Sequence, residues 1–175
     1  MSNLYLAYGS NLSVEQMLYR CPGAVYIGAT DLPGTRLMFR GSKTGSYLSI
    51  EPALPKHPRS VPCLVWRISR ENEHALDRYE GYPDFYAKEI YRDLTLRALD
   101  GPGSDIRVFD GMAYQLPVDS PAGAPSYGYF RVCELGYRHF GFPVTVLRQA
   151  LIDSIGAPAA REYLDQYFRQ QFSLE

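Results

Sequence analysis

Leu4-Tyr5-Leu6-Ala7-Tyr8-Gly9-Ser10-Asn11-Leu12 is an apolar and aromatic run that breaks abruptly into three small, turn-forming residues. A continuous apolar stretch bounded by a turn signal predicts a buried strand over Leu4 to Tyr8. Ser13 follows, with Gln16 three residues on, a capping-box spacing that predicts a helix to about Arg20, stopped by Cys21-Pro22-Gly23. Strand, tight turn and helix start in immediate succession have two readings. They form a plain structural turn, or they form a seat for an anion, because turn N–H groups and the positive end of a helix dipole favour a carboxylate or phosphate.

Outward from this start the chain is mostly strand-like as far as Arg97. Ala24 to Asp31, Thr35 to Arg40, Tyr47 to Glu51, Cys63 to Ile68 and Tyr86 to Arg97 are each rich in β-branched or aromatic residues between Gly and Pro breakers. One helix interrupts them, Arg70 to Tyr79, capped by Ser69 and carrying Ala75, Leu76 and Tyr79 as an apolar stripe. A further strand, Ile106 to Leu116, follows the Gly101-Pro102-Gly103 turn. Three helices close the chain, about Ser126 to His139, Val144 to Ser154 and Pro158 to Phe172, the last with Pro in its first turn. Strands in the middle with helices between and after them predict an α+β fold, a small mixed or antiparallel barrel-like sheet flanked by helices.

A length of 175 residues fits one domain, here 1–175 with a helical extension from about 156 to 175. Hydrophobic residues make up 46% and charged residues 21%, the balance of an ordinary globular domain. Net charge is −1 with basic residues scattered, which gives no footprint for nucleic acid or an anionic membrane. The N-terminus lacks a basic leader, and no apolar run approaches the roughly 18 residues of a membrane span. Three cysteines, Cys21, Cys63 and Cys133, lie far apart without a C-x-x-C, so a cytoplasmic, reducing setting is expected, with neither disulfide framework nor metal site.

Several catalytic patterns are absent. There is no phosphate-binding G-x-x-x-x-G-K-[ST], no G-x-S-x-G and no H-E-x-x-H. Lys43-Thr44-Gly45 matches one element of the serine β-lactamase set, but no S-x-x-K accompanies it. His57, His74 and His139 are isolated and read as surface or structural residues.

The second informative segment ends the helix after Ser69. Glu80 closes it, Gly81 follows, and Tyr82, Phe85 and Tyr86 come next. A carboxylate at a helix C-terminus meets the negative end of the dipole, and apolar surroundings would raise its pKa further. Such a group suits general acid/base chemistry. An exposed helix-end glutamate fits the same residues equally well.

"YLAYGSNL" at 5–12 together with "ALDRYEGYPDFYAKE" at 75–89 resembles the γ-glutamylcyclotransferase-like family, as a bacterial-type member. "CLVWRIS" at 63–69 is similar to the family's strand before the acidic helix, and "PSYGYFRVCELGYRHFGFP" at 125–143 to its late helix. The resemblance implies a mixed barrel-and-helix fold whose cavity takes a γ-glutamyl group, with Glu80 as the catalytic carboxylate. It implies substrate contacts from Tyr8, Gly9, Ser10, Asn11 and Leu12, and from Tyr86 and Tyr129. It implies a small-molecule γ-glutamyl partner, neither nucleic acid nor membrane, no cofactor and no metal, and it leaves room for a homodimer.

In the implied reaction the substrate's own α-amine attacks its γ-carbonyl, closes a five-membered ring and expels an amine, leaving 5-oxoproline. Pro52 to Pro62, "PALPKHPRSVP", departs from the family pattern and is expected to alter one rim of the pocket. The tail "APAAREYLDQYFRQQF" at 157–172 extends past the matched part, as a packing helix, a partner surface or a lid. The leaving group is not legible, and two other functions share the same residues: a γ-glutamyl or small-metabolite binding module without turnover, and an acid/base enzyme acting on an unrelated small amide.

Overall fold

A computed structural model describes residues 3–42, 45–57, 59–99 and 107–172. Lys43, Thr44, Pro58, the Gly101-Pro102-Gly103 turn and Ile106 lie outside the described residues.

The opening run forms β1 (Asn3–Ala7), flanked on both sides. It runs antiparallel to β5 (Ser60–Ile68), with Tyr5 opposite Trp66, and parallel to β7 (Arg107–Gln115), with Tyr5 opposite Met112. A strand covered on both edges and both faces has no solvent side, which is why its sequence is continuously apolar rather than alternating. β2 (Val25–Pro33) pairs with the far side of β5 and β6 (Ala87–Leu96) with the far side of β7, giving the order β2-β5-β1-β7-β6.

The two outer strands then meet. Ala29 and Arg97 exchange backbone hydrogen bonds of 2.8 and 2.7 Å, and Thr30 Oγ1 donates to Thr95 O at 2.9 Å. The sheet is therefore mixed and curled until its edges touch, which removes an exposed edge at that point. A separate hairpin, β3 (Thr35–Ser42) with β4 (Gly45–Pro52), is tied to the rest where Leu116 N–H donates to Ser49 Oγ at 2.9 Å. It is also tied where Phe39 N–H donates to Ser154 Oγ at 2.8 Å.

Among the described residues five α-helices flank the strands: α1 (Val14–Arg20), α2 (Arg70–Glu80), α3 (Tyr127–His139), α4 (Thr145–Ile155) and α5 (Ala157–Phe172). Ser13, Ser69 and Ser126 cap the first three, each accepting from the N–H three residues on. The core runs through Leu6, Phe39, Trp66, Phe130, Tyr137 and Leu147. Two buried carboxylates are paired within it. Glu51 meets Arg36 and Arg40 at 2.6 and 2.7 Å, and Glu134 meets Arg138 at 2.8 Å and the Tyr167 hydroxyl at 2.6 Å.

The α+β expectation and its element order hold. β5 begins at Ser60, before the expected Cys63, and runs through Pro62. There it pairs only with β2, because β1 joins it from Leu64 onward, so the missing proline N–H removes no ladder bond. The extension after Gly156 packs as a helix: Ala160, Tyr163 and Tyr167 are buried, with ring contacts to Phe130 at 5.6 and 5.1 Å.

Candidate active site

The turn after β1 is a single 3-10 turn, Ser10–Leu12, closed by Leu12 N–H to Gly9 O and Ser13 N–H to Ser10 O, both at 3.0 Å. Its leading N–H groups, on Ser10 and Asn11, have no acceptor inside so short a turn. α1 then reaches back over it. Ser13 caps Gln16 as expected, but the Gln16 amide goes to the turn instead of the cap, donating to Ser10 O at 3.0 Å and to Asn11 Oδ1 at 3.4 Å. The opposite wall is α3, whose Gly136 lets the two backbones approach: a Cβ there would lie 2.5 Å from Leu12 Cβ.

Asn11, buried at 4% exposure, joins these pieces to α2. Its Oδ1 accepts from Arg20 Nη1 and from Gln16. Its Nδ2 donates to the Tyr5 hydroxyl at 2.8 Å and to Glu80 Oε1 at 3.1 Å. A guanidinium only donates, so the atom facing Arg20 must be the amide oxygen and the one facing Glu80 the nitrogen. All four hydrogen-bonding sites of the amide are used.

Glu80 is the last residue of α2 because Gly81 takes a left-handed backbone (φ 69°), with its N–H and that of Tyr82 returning to Asp77 O. Burial pushes the Glu80 carboxyl above the ordinary carboxylate range, against the opposing pull of Arg20 and the Asn11 hydrogen bond. The exposed alternative for this helix end does not hold, since Phe85 and Tyr86 fold back beside the carboxyl and line the same cavity.

That cavity has a volume of about 510 Å³. Tyr8, Gly9, Ser10, Asn11, Glu80, Tyr86 and Tyr129 all line it. Tyr8, Tyr86 and Tyr129 converge on the backbone of Leu48 in β4: Tyr8 and Tyr86 hydroxyls lie 3.4 and 3.5 Å from its carbonyl, and Tyr129 Oη accepts from its N–H at 3.1 Å. Tyr8 also donates to Tyr114 O. Burial raises the pKa of each of these phenols, which keeps them neutral donors.

Leu12 is the exception among the expected contacts. Its side chain is buried at 1% exposure against α3, it is not among the cavity residues, and its N–H is spent on Gly9. The Pro52 to Pro62 segment likewise contributes none of its described residues to the cavity, and Arg59 within it pairs with Asp153 of α4. Tyr79 does not join the apolar stripe of α2: it is 59% exposed, and its ring carries the Arg20 guanidinium at 3.4 Å.

Sequence reasoning did not single out Tyr5, Arg20, Tyr47, Phe85 or Tyr114 as cavity residues. The capping-box spacing was the one local signal for Gln16, and it named the wrong partner. Behind the wall, Tyr114 donates to Asp77 at 2.7 Å, and Asp77 in turn meets Lys88 at 2.7 Å. Among the described residues no group of three or more His, Cys, Asp or Glu is placed to share a metal ion.

A carboxyl with a raised pKa beside donor-rich walls can exchange a proton with a bound ligand while neutral hydroxyls and free turn amides hold the ligand's polar groups. Comparison with known proteins agrees with the architecture. A family model described as "Gamma-glutamyl cyclotransferase, AIG2-like" matches residues 5–126. The chain is 27% identical over 148 residues to a gamma-glutamylcyclotransferase of Bos taurus, covering 82% of this chain and 74% of that protein. It is 26% identical over 147 residues to the one of Homo sapiens, with the same coverage.

Among solved structures, one described as "Gamma-glutamyl cyclotransferase" superposes with a TM-score of 0.68 at 22% identity, over 86% of each chain. An uncharacterized human protein superposes at 0.67 and 22%, over 85% of this chain and 86% of that one, and both share the fold. The chain belongs to the gamma-glutamyl cyclotransferase, AIG2-like family.

Proposed function

We propose that this protein releases 5-oxoproline from γ-glutamyl compounds, with Glu80 as the proton-transfer group. The observation that carries the reading is the Glu80 carboxyl itself, held by Asn11 at 3.1 Å and raised in pKa by burial, in a cavity of about 510 Å³ lined by the turn after β1.

The substrate supplies its own nucleophile. Its α-amine nitrogen forms a bond to the γ-carbonyl carbon, a five-membered ring closes, and the bond from that carbon to the leaving nitrogen breaks. Folding the glutamyl chain in the cavity makes the attack intramolecular, which is worth a large effective molarity. The ionised Glu80 takes a proton from the α-ammonium and delivers it to the leaving nitrogen, so one carboxyl serves as base and then acid, and the second proton that the ring nitrogen sheds as the lactam forms ends on the released amine; such transfer contributes about 10² to 10⁴ in rate. The unspent N–H groups of Ser10 and Asn11 receive the substrate's anionic oxygens, and the hydroxyls of Tyr86 and Tyr129 orient it. Tyr8 shapes the wall, since its one proton is already given to Tyr114 O. Leu12 holds the turn against α3 instead of touching substrate.

The test is a panel of γ-glutamyl amino acids and γ-glutamyl amines incubated with the purified protein, with 5-oxoproline measured directly. Release from one or more members is expected. Thermal stabilisation by these compounds without any 5-oxoproline would favour a binding module instead.

A further inference from the structure

Arg20 is the only cationic side chain among the described residues lining the cavity, as Glu80 is the only carboxylate. The two opposite charges do not pair. Asn11 stands between them, taking an N–H from Arg20 on its oxygen and giving one to Glu80 from its nitrogen. A guanidinium carries five N–H donors in a planar fork. Arg20 gives one of them to Asn11 and rests one face on the Tyr79 ring at 3.4 Å, where Tyr79 is 59% exposed. The cation is thus oriented at the mouth of the cavity with donors to spare.

The spacing suits one kind of ligand. In the Asn11 amide the oxygen and nitrogen that span Arg20 and Glu80 are joined through a single carbon. In an α-amino acid, the nitrogen and the carboxylate oxygens are joined through two. A leaving nitrogen placed at Glu80 to receive its proton would therefore carry a carboxylate within reach of Arg20, alongside Asn11. An amine leaving group has nothing to put there.

We infer that Arg20 is a specificity residue that receives the carboxylate next to the scissile nitrogen, so that the substrates are γ-glutamyl amino acids with a free carboxylate in preference to γ-glutamyl amines. The inference rests on the cyclotransferase reading above. Tyr79 is the positioning residue that holds the guanidinium flat, and Asn11 sets its distance from Glu80.

The experiment compares kcat/KM for γ-glutamyl-alanine and γ-glutamyl-ethylamide, which differ only in that carboxylate, in the wild-type protein and in Arg20→Met and Arg20→Lys. A charge-assisted hydrogen bond gives the wild type a preference of about tenfold or more for γ-glutamyl-alanine, carried mainly by KM. Arg20→Met brings the ratio close to unity, and Arg20→Lys keeps part of it. A wild type that uses both compounds equally would overturn the assignment without touching the cyclotransferase reading. So would an Arg20→Met that slows both in the same proportion. Absence of 5-oxoproline from both compounds would overturn the reading and the assignment together.

Discussion

Asn11 Nδ2 lies 3.1 Å from Glu80 Oε1, so a turn residue of the first strand and the last residue of α2 share a hydrogen bond across 69 positions of sequence. The bond is what makes the turn and the acidic helix one site. The amide also holds Arg20, Gln16 and Tyr5, and its removal leaves donors and acceptors of four side chains unmatched.

Asn11→Ala is therefore expected to lower stability by about 2 kcal/mol, the cost of leaving buried polar groups without partners, and to lower kcat by about a hundredfold. Urea unfolding and the 5-oxoproline assay check the two effects on the same preparation. A variant of wild-type stability and activity would mean that the amide only fills space.

Replacing Glu80 gives a pH-dependent stability difference with a definite sign. Burial raises the carboxyl's pKa in the folded protein, so the folded state holds the proton more tightly than the unfolded chain. Stability then falls as pH rises from the ordinary carboxylate value toward the raised one. Glu80→Gln, which cannot ionise, escapes that loss. Its melting temperature should match the wild type under acid conditions and exceed it near neutral pH. The opposite trend would show a carboxylate stabilised in its charged form.

Gly136 gives the turn room. A Cβ at this position would lie 2.5 Å from Leu12 Cβ, so Gly136→Ala must push the turn or α3 aside, at about 1 to 3 kcal/mol for overpacking. Because the displaced turn carries Asn11, KM and kcat should both worsen although position 136 does not line the cavity. Unaltered kinetics beside a lowered melting point would confine the glycine to packing.

Ser10 sits at the cavity with its carbonyl held by Gln16 at 3.0 Å. In the proposed chemistry its backbone acts and its hydroxyl is not a nucleophile. Ser10→Ala should cost about tenfold or less in kcat/KM, the scale of one neutral hydrogen bond. A loss as complete as that of a missing proton-transfer group would move the chemistry to Ser10.

Much of this architecture was legible because it is written locally. The buried strand before Gly9, the serine caps and the Gly and Pro stops depend on neighbours within a few residues. β5 was misjudged at its start for a reason no local pattern holds: Pro62 is harmless only because β1 has not yet joined that edge. The site divides the same way. Glu80 stood out through its place at a helix end before aromatic residues. Arg20 read as one more charge on α1, since nothing in its own segment announces that Asn11 and Tyr79 will hold it in the cavity. The Leu48 backbone, on which three tyrosines converge, has no side-chain signature at all.

The central claim is that Glu80 moves the proton. The measurement that tests it most directly is single-turnover formation of 5-oxoproline by Glu80→Gln, with γ-glutamyl substrate binding and thermal unfolding recorded on the same protein. The account predicts a folded variant that still binds the γ-glutamyl compound and forms product at least about a hundredfold more slowly. A Glu80→Gln protein that turns over at the wild-type rate would contradict it.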